Sequence, residues 1–312
     1  MLRAAARAEH SSKPRKPAAP DSGRMTPRDE HDTDTDTHAG AAEAADRTPD
    51  DTVLPLPGGG LRVRQDGPRD APPLLLIHGS ASSLGVWDAM VPLLTGCHRV
   101  VRVDLPGHGG SAAPADGDYS VPEQARRVGA ALDRLGVGRV TVVGHSSGGY
   151  VATALAEERP ALVGALVLVN TGPSLDAFTG PETAGLDPAA WPPGDDVLRH
   201  FASSAFRTGF AIPQRLIDEL RTADFPAVAT AMRASTAYLA ERPLPDRLIP
   251  LGTPLHVVFG AQDRRWRPSS AAAYSAVPSA TVTYLPRTGH TPPIEDPHRT
   301  AAVLLAFTTA RV

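Results

Sequence analysis

The chain has 312 residues, 41% of them hydrophobic, and a formal net charge of −3. That length holds one large α/β domain or two small ones, while near-neutral charge and an aromatic content of 5% argue against a nucleic-acid surface. Cys97 is the single cysteine, which excludes an internal disulfide, and its place between apolar segments predicts a buried, inert thiol.

In chain order, residues 1–50 are rich in Ala, Pro, Asp, Thr and Arg and poor in large apolar side chains. Such a segment cannot offset its ordering entropy and is expected to form a disordered tail. Its start carries basic residues but no apolar h-region, so it does not read as a secretory signal, and Met25 is an alternative start. The alternating stretch from His31 to His38 reads as solvated polar chain, because nothing rigid would hold its ligands around a metal. No run of about 18 apolar residues occurs, so no membrane helix is expected and a cytoplasmic location is the default.

Apolar runs of strand length follow at 61–65, 74–77, 100–104, 140–144, 165–170, 255–259 and 280–285. Several are apolar throughout, as in parallel strands covered on both faces. Between them lie helical stretches at 87–94, 121–135, 146–158, 269–276 and 297–308. This alternation predicts an α/β fold with a doubly wound, mostly parallel sheet. Residues 174–248 break the rhythm with amphipathic stretches at 195–206, 213–220 and 226–240, punctuated by prolines. They are expected to form a helical cap inserted after the sixth strand, with 51–173 and 249–312 as the core. In an open α/β sheet the site lies beyond the carboxyl ends of the strands, where such an insertion would cover it.

The strongest chemical signal is Gly144-His145-Ser146-Ser147-Gly148, which follows the run Val140-Thr141-Val142-Val143 and precedes a helix-forming stretch. A G-x-S-x-G between strand and helix places the serine on a sharp turn, which needs small neighbours. Serine requires a base, and the base requires an orienting acid. In this setting the acid and base follow the nucleophile in that order. Asp263 comes directly after the run at 255–259, and His290 lies in the loop after the run at 280–285. The oxyanion hole needs two N–H donors. The Ser147 amide is one, and the loop after Ile77 supplies the other, with Ser80 preferred over Ala81.

These residues together resemble the α/β-hydrolase group that includes esterases, lipases, carbon–carbon bond hydrolases, cofactor-free haloperoxidases and proline iminopeptidases. The resemblance spans about residues 54–311. It rests on His78-Gly79, the segment from Asp104 to Ser111, the serine turn, Gly260-Ala261-Gln262-Asp263, and Gly289-His290 followed by Glu295-Asp296-Pro297. It implies a serine hydrolase with Ser146 as nucleophile, His290 as base and Asp263 as acid. Serine at 146 departs from haloalkane dehalogenases and epoxide hydrolases of this fold, which carry aspartate there.

Other residues are weighed against that reading. Asp104 precedes the serine and resembles a turn-stabilising aspartate. Asn170 occupies the place where some relatives keep their acid, with Asp176 nearby, which leaves Asp263 the better choice. His145 is read as a structural residue behind the serine. No histidine pair has zinc-like spacing, and no G-x-G-x-x-G opens a βαβ unit, so neither a metal nor a dinucleotide cofactor is expected. Trp87, Trp191, Phe206, Tyr238 and Trp266 are candidate linings of a covered apolar pocket, against the alternative of plain packing. The expected partner is a small-molecule substrate, with no nucleic acid and no membrane. A carboxylic ester leads. The alternatives are an acyltransferase, a ligand receptor that keeps the fold, and a carbon–carbon hydrolase in which Arg207 or Arg233 binds a substrate carboxylate.

Overall fold

In the computed structural model, which describes residues 50–180 and 191–310, the chain lays down eight strands. They are β1 (Asp50–Leu54), β2 (Leu61–Asp66), β3 (Pro73–Ile77), β4 (Arg99–Val103), β5 (Val140–His145), β6 (Val163–Val169), β7 (Leu255–Gly260) and β8 (Ala280–Leu285). One sheet contains them all, in the order β1-β2-β4-β3-β5-β6-β7-β8. Pairings made by β2 are antiparallel and the rest are parallel. The expected doubly wound, mostly parallel sheet is present.

The continuous apolar runs have a direct cause. Along a strand, successive side chains point to opposite faces. Leu75 and Ile77 join Val142, Leu166, Leu168 and Val257 on one face, whereas Leu74 and Leu76 join Val143, Val167, Val169 and Val258 on the other. The first face is closed by α2 (Val121–Arg134) and α3 (Gly148–Glu158), through residues such as Val128, Leu132 and Leu155. The second is closed by α1 (Val91–Leu94) and α9 (Pro297–Thr309), through Leu94, Leu304 and Phe307. A strand covered on both sides has no position for a polar residue, so alternation disappears.

Between β6 and β7 stand α4 (Asp195–Ser203), α5 (Gln214–Thr222), α6 (Phe225–Glu241) and α7 (Leu244–Leu248). These are the expected cap helices, with α7 as an addition. Leu198, Ile217 and Leu220 form a small apolar cluster of their own. Two side chains pin the far end of this region to α3: Tyr238 donates its hydroxyl to Glu157 at 2.7 Å, and Arg247 reaches the same carboxylate at 3.3 Å. The short helix α8 (Pro292–Glu295) precedes α9.

Several expectations are corrected. The strand β1 is absent from the seven sequence runs because its five residues begin with two aspartates and it pairs only with β2 at the sheet edge. Arg62 of β2 holds Asp51 there at 2.6 Å. Asp50, assigned to the tail, opens this strand, while residues 1–49, with the stretch from His31 to His38, lie outside the described residues. Cys97 is exposed, not buried, because it sits in the turn from α1 to β4, with its amide donating to Leu94 O at 3.0 Å. The helix expected at 269–276 is a 3-10 helix at Pro268–Ala276.

Gly260 closes β7 against the loop that carries His290. A Cβ at Gly260 would lie 1.9 Å from Gly289 O, whereas one at Gly138 would meet nothing within 4 Å. Gly260→Ala is therefore expected to destabilise the fold by about 3 kcal/mol, and Gly138→Ala by no more than about 0.5 kcal/mol, as read from denaturant unfolding.

Candidate functional site

The serine turn forms where the sequence placed it. Ser146 follows β5 directly, has φ +53°, and leads into α3 through Ser147. An L-residue rarely holds that conformation, so its surroundings must enforce it. A Cβ on Gly144 would lie 2.5 Å from Gly148 O, and one on Gly148 would lie 2.4 Å from His78 O. Glycine at both positions lets β5, the turn and the loop after β3 pack together.

Three side chains distant in sequence meet above the strand ends. His290 Nε2 lies 2.9 Å from Ser146 Oγ, and His290 Nδ1 lies 2.9 Å from Asp263 Oδ2. An ionised carboxylate only accepts, so Nδ1 carries the proton and Nε2 is the free acceptor for the serine hydroxyl. His290 and Asp263 are buried, while Ser146 stays partly open. Asp263 receives further hydrogen bonds from the amides of Arg265 (2.7 Å) and Trp266 (3.2 Å) and from Asn170 Nδ2 (2.7 Å). Burial pushes its carboxyl up, but the adjacent imidazole and these donors outweigh burial, and the net shift is downward. The acid is thus held as an anion inside the protein.

The Alpha/beta hydrolase family matches residues 74–303. The chain belongs to that family. A pimeloyl-[acyl-carrier protein] methyl ester esterase from Aeromonas hydrophila subsp. hydrophila is 30% identical over 247 residues, 76% of this chain and 95% of that protein. A serine hydrolase-like protein from Danio rerio is 37% identical over 119 residues, and this match spans 38% of the chain and only 36% of the relative. Among solved structures, the 2-hydroxy-6-oxo-6-phenylhexa-2,4-dienoate hydrolase from Rhodococcus sp. strain RHA1 superposes with a TM-score of 0.72 at 21% identity, over 84% of this chain and all (100%) of that one. That last likeness is one of fold.

Two residues of this α/β-hydrolase serve the site without having been singled out for it in the sequence. Asn170, at φ +48° just past β6, donates to Asp263 Oδ2 at 2.7 Å and to Gly289 O at 3.1 Å, and accepts from Gly260 N at 3.1 Å. It ties together the loops that carry Asp263 and His290. A polar residue ending an otherwise apolar strand was the available signal. Glu295 accepts from the amides of Gly289 (3.0 Å) and Thr291 (3.2 Å), on either side of His290, and from Arg207 N in the cap (2.9 Å). Its signal was the carboxylate five residues after the histidine, beside Asp296-Pro297.

His145 lies behind His290. Its Nε2 contacts His290 O at 2.8 Å and therefore donates, while Nδ1 is buried with no hydrogen-bond partner among the described residues. Asp104 accepts from the amides of Leu84 (2.6 Å) and Gly110 (2.8 Å) and holds a turn, as its sequence context suggested.

The expected oxyanion donors differ in setting. Ser147 opens α3, whereas the Ser80 amide points its hydrogen at Ser147 Oγ, 2.8 Å away. The five candidate pocket aromatics also divide. Trp87 is fully enclosed in the core and meets His145 edge-on at 6.3 Å. Tyr238 is committed to Glu157 and to the guanidinium of Arg247, 3.8 Å above its ring. Trp191 stacks on Phe225 at 4.5 Å, Phe206 on Phe210 at 5.0 Å, and Trp266 meets Phe178 edge-on at 5.0 Å. Phe206 adjoins Gly289 through its backbone, and the Trp266 amide donates to the Asp263 carboxylate. A cavity of about 720 Å³ lies beside the loops that carry Asp263 and His290, lined by residues including Arg207, Gln262, Arg287 and Glu295, and by none of the five aromatics.

Burial, reinforced by the nearby His290, drives His145 down to about 3, against the hydrogen bond to the His290 carbonyl. Burial and then His78 drive His108 down to about 4. Both histidines stay neutral in the folded protein at pH values where the unfolded chain, near 6.5, takes up protons. Their contribution to stability is complete above that value and is lost as pH falls toward the folded values. Going from pH 7 to pH 5 is expected to remove about 2 kcal/mol for each of these histidines in urea unfolding, and His108→Asn should reduce the total loss by about that one share.

Proposed function

We propose that this hydrolase cleaves a small carboxylic ester through an acyl-enzyme on Ser146. The observation that carries the reading is the unbroken line from a strained, partly open serine through the His290 imidazole to a buried, four-times hydrogen-bonded carboxylate. His290 takes the Ser146 proton as Oγ bonds to the carbonyl carbon. Asp263 keeps the imidazole in the correct tautomer and stabilises its charged form. The Ser147 amide, at the start of α3, and the Ser80 position of the loop after β3 face the oxygen that becomes negative. Collapse of the tetrahedral species breaks the bond to the alkoxide, which takes the proton from His290. Water, deprotonated by His290, then attacks the acyl carbon, releases the acid and restores Ser146.

An ester needs nothing beyond these parts, and the methyl ester esterase relative supports that class. The carbon–carbon reading has less support. Of the arginines it would use, Arg233 donates to Thr230 at 2.9 Å on the exposed side of its own helix, and Arg207 lies over the Phe210 ring at 5.6 Å.

A panel of p-nitrophenyl esters of increasing acyl length tests the assignment. Wild type should turn over the short members. Ser146→Ala should lose about 10⁴-fold or more in kcat, and Asp263→Asn about 10⁴-fold, with both variants folded. Absence of turnover by wild type across all acyl lengths would overturn the ester reading.

A further inference from the structure

The hydroxyls of Ser80 and Ser147 form a pair at the edge of the nucleophile. Ser147 Oγ accepts the Ser80 amide hydrogen at 2.8 Å and lies 2.8 Å from Ser80 Oγ. Three hydrogens, one amide and two hydroxyl, serve these two contacts. One hydroxyl hydrogen is therefore unspent, and among the described residues no other hydrogen bond engages either hydroxyl. The pair is held in place by its surroundings. A Cβ on Gly79 would lie 2.9 Å from Ser146 Cβ, so the loop is pressed onto the nucleophile, and Ala81 turns that loop at φ +54°. The Ser147 hydroxyl makes no cap bond to its own helix, so helix formation does not explain its orientation.

We propose that the second donor of the oxyanion hole is this hydroxyl pair, with the Ser80 amide behind it, and not the Ser80 amide itself. The inference rests on the acyl-transfer reading given above. The amide donates to an oxygen whose own hydrogen, or that of its partner, reaches the developing oxyanion. Donation into a hydroxyl strengthens the donation that leaves it. A hydroxyl also rotates about a single torsion, so it follows the carbonyl oxygen as the carbon becomes tetrahedral, which a fixed amide cannot do. The competing arrangement has the Ser147 side chain swing away and uncover the Ser80 amide.

The two arrangements give opposite signs for one substitution. With p-nitrophenyl acetate, Ser147→Ala should lower kcat by about 100- to 1000-fold, within about threefold of the wild-type KM, which is what the loss of a side-chain oxyanion donor costs. Affinity for a trifluoromethyl ketone, which forms a tetrahedral adduct, should fall by the same factor. Ser147→Thr, which keeps the hydroxyl, should restore most of the rate. Should Ser147→Ala not fold, Ser147→Cys carries the same expectation, since a thiol is a weak donor. A folded Ser147→Ala enzyme as fast as wild type, or faster, would overturn the hydroxyl donor and leave the ester reading standing. Wild type inert to both ester and ketone would overturn both.

Discussion

The site depends on keeping one negative charge inside the protein. A carboxylate out of water is costly unless every lone pair is used. Asp263 meets that demand with two backbone amides, the Asn170 side chain and the His290 imidazole. Those donors come from the loops after β6, β7 and β8, so satisfying the charge also assembles the strand ends. The same hydrogen bonds that make the anion tolerable fix the histidine's tautomer and aim its other nitrogen at the serine. Structural and chemical requirements on Asp263 are one requirement.

Much of this was legible in the sequence because parallel strands covered on both faces leave continuous apolar runs, and because acid and base each follow such a run directly. The serine turn was legible through its glycines, whose contacts with Gly148 O and His78 O leave no room for a side chain. What was not legible was cross-chain partnership. Nothing local to Asn170 states that its amide will bridge Asp263 and Gly289, respectively 93 and 119 residues away. The orientation of the Ser80 amide depends on a hydroxyl 67 residues further on. The edge strand β1 escaped because pairing with β2, not burial, defines it. Cys97 was misjudged because apolar flanks say little about a residue that turns the chain between them.

The cap shows how far local pattern reaches. Its helices could be anticipated from amphipathic spacing, but the use of its aromatics could not. Tyr238 looked like a pocket wall, yet its hydroxyl and ring are both taken, by Glu157 and Arg247. An aromatic side chain on an amphipathic helix points inward in either role, so only the three-dimensional neighbourhood separates them.

Glu295 links the roof to the reacting centre more directly than any of these. One carboxylate receives the amide of Arg207 from the insertion and the amides that bracket the imidazole. The Arg207 amide and the amides on either side of His290 thus share one side-chain acceptor. The insertion and the loop around His290 are thereby joined through one side chain, and grafting a foreign insertion onto this scaffold would have to reproduce a main-chain donor at that one point.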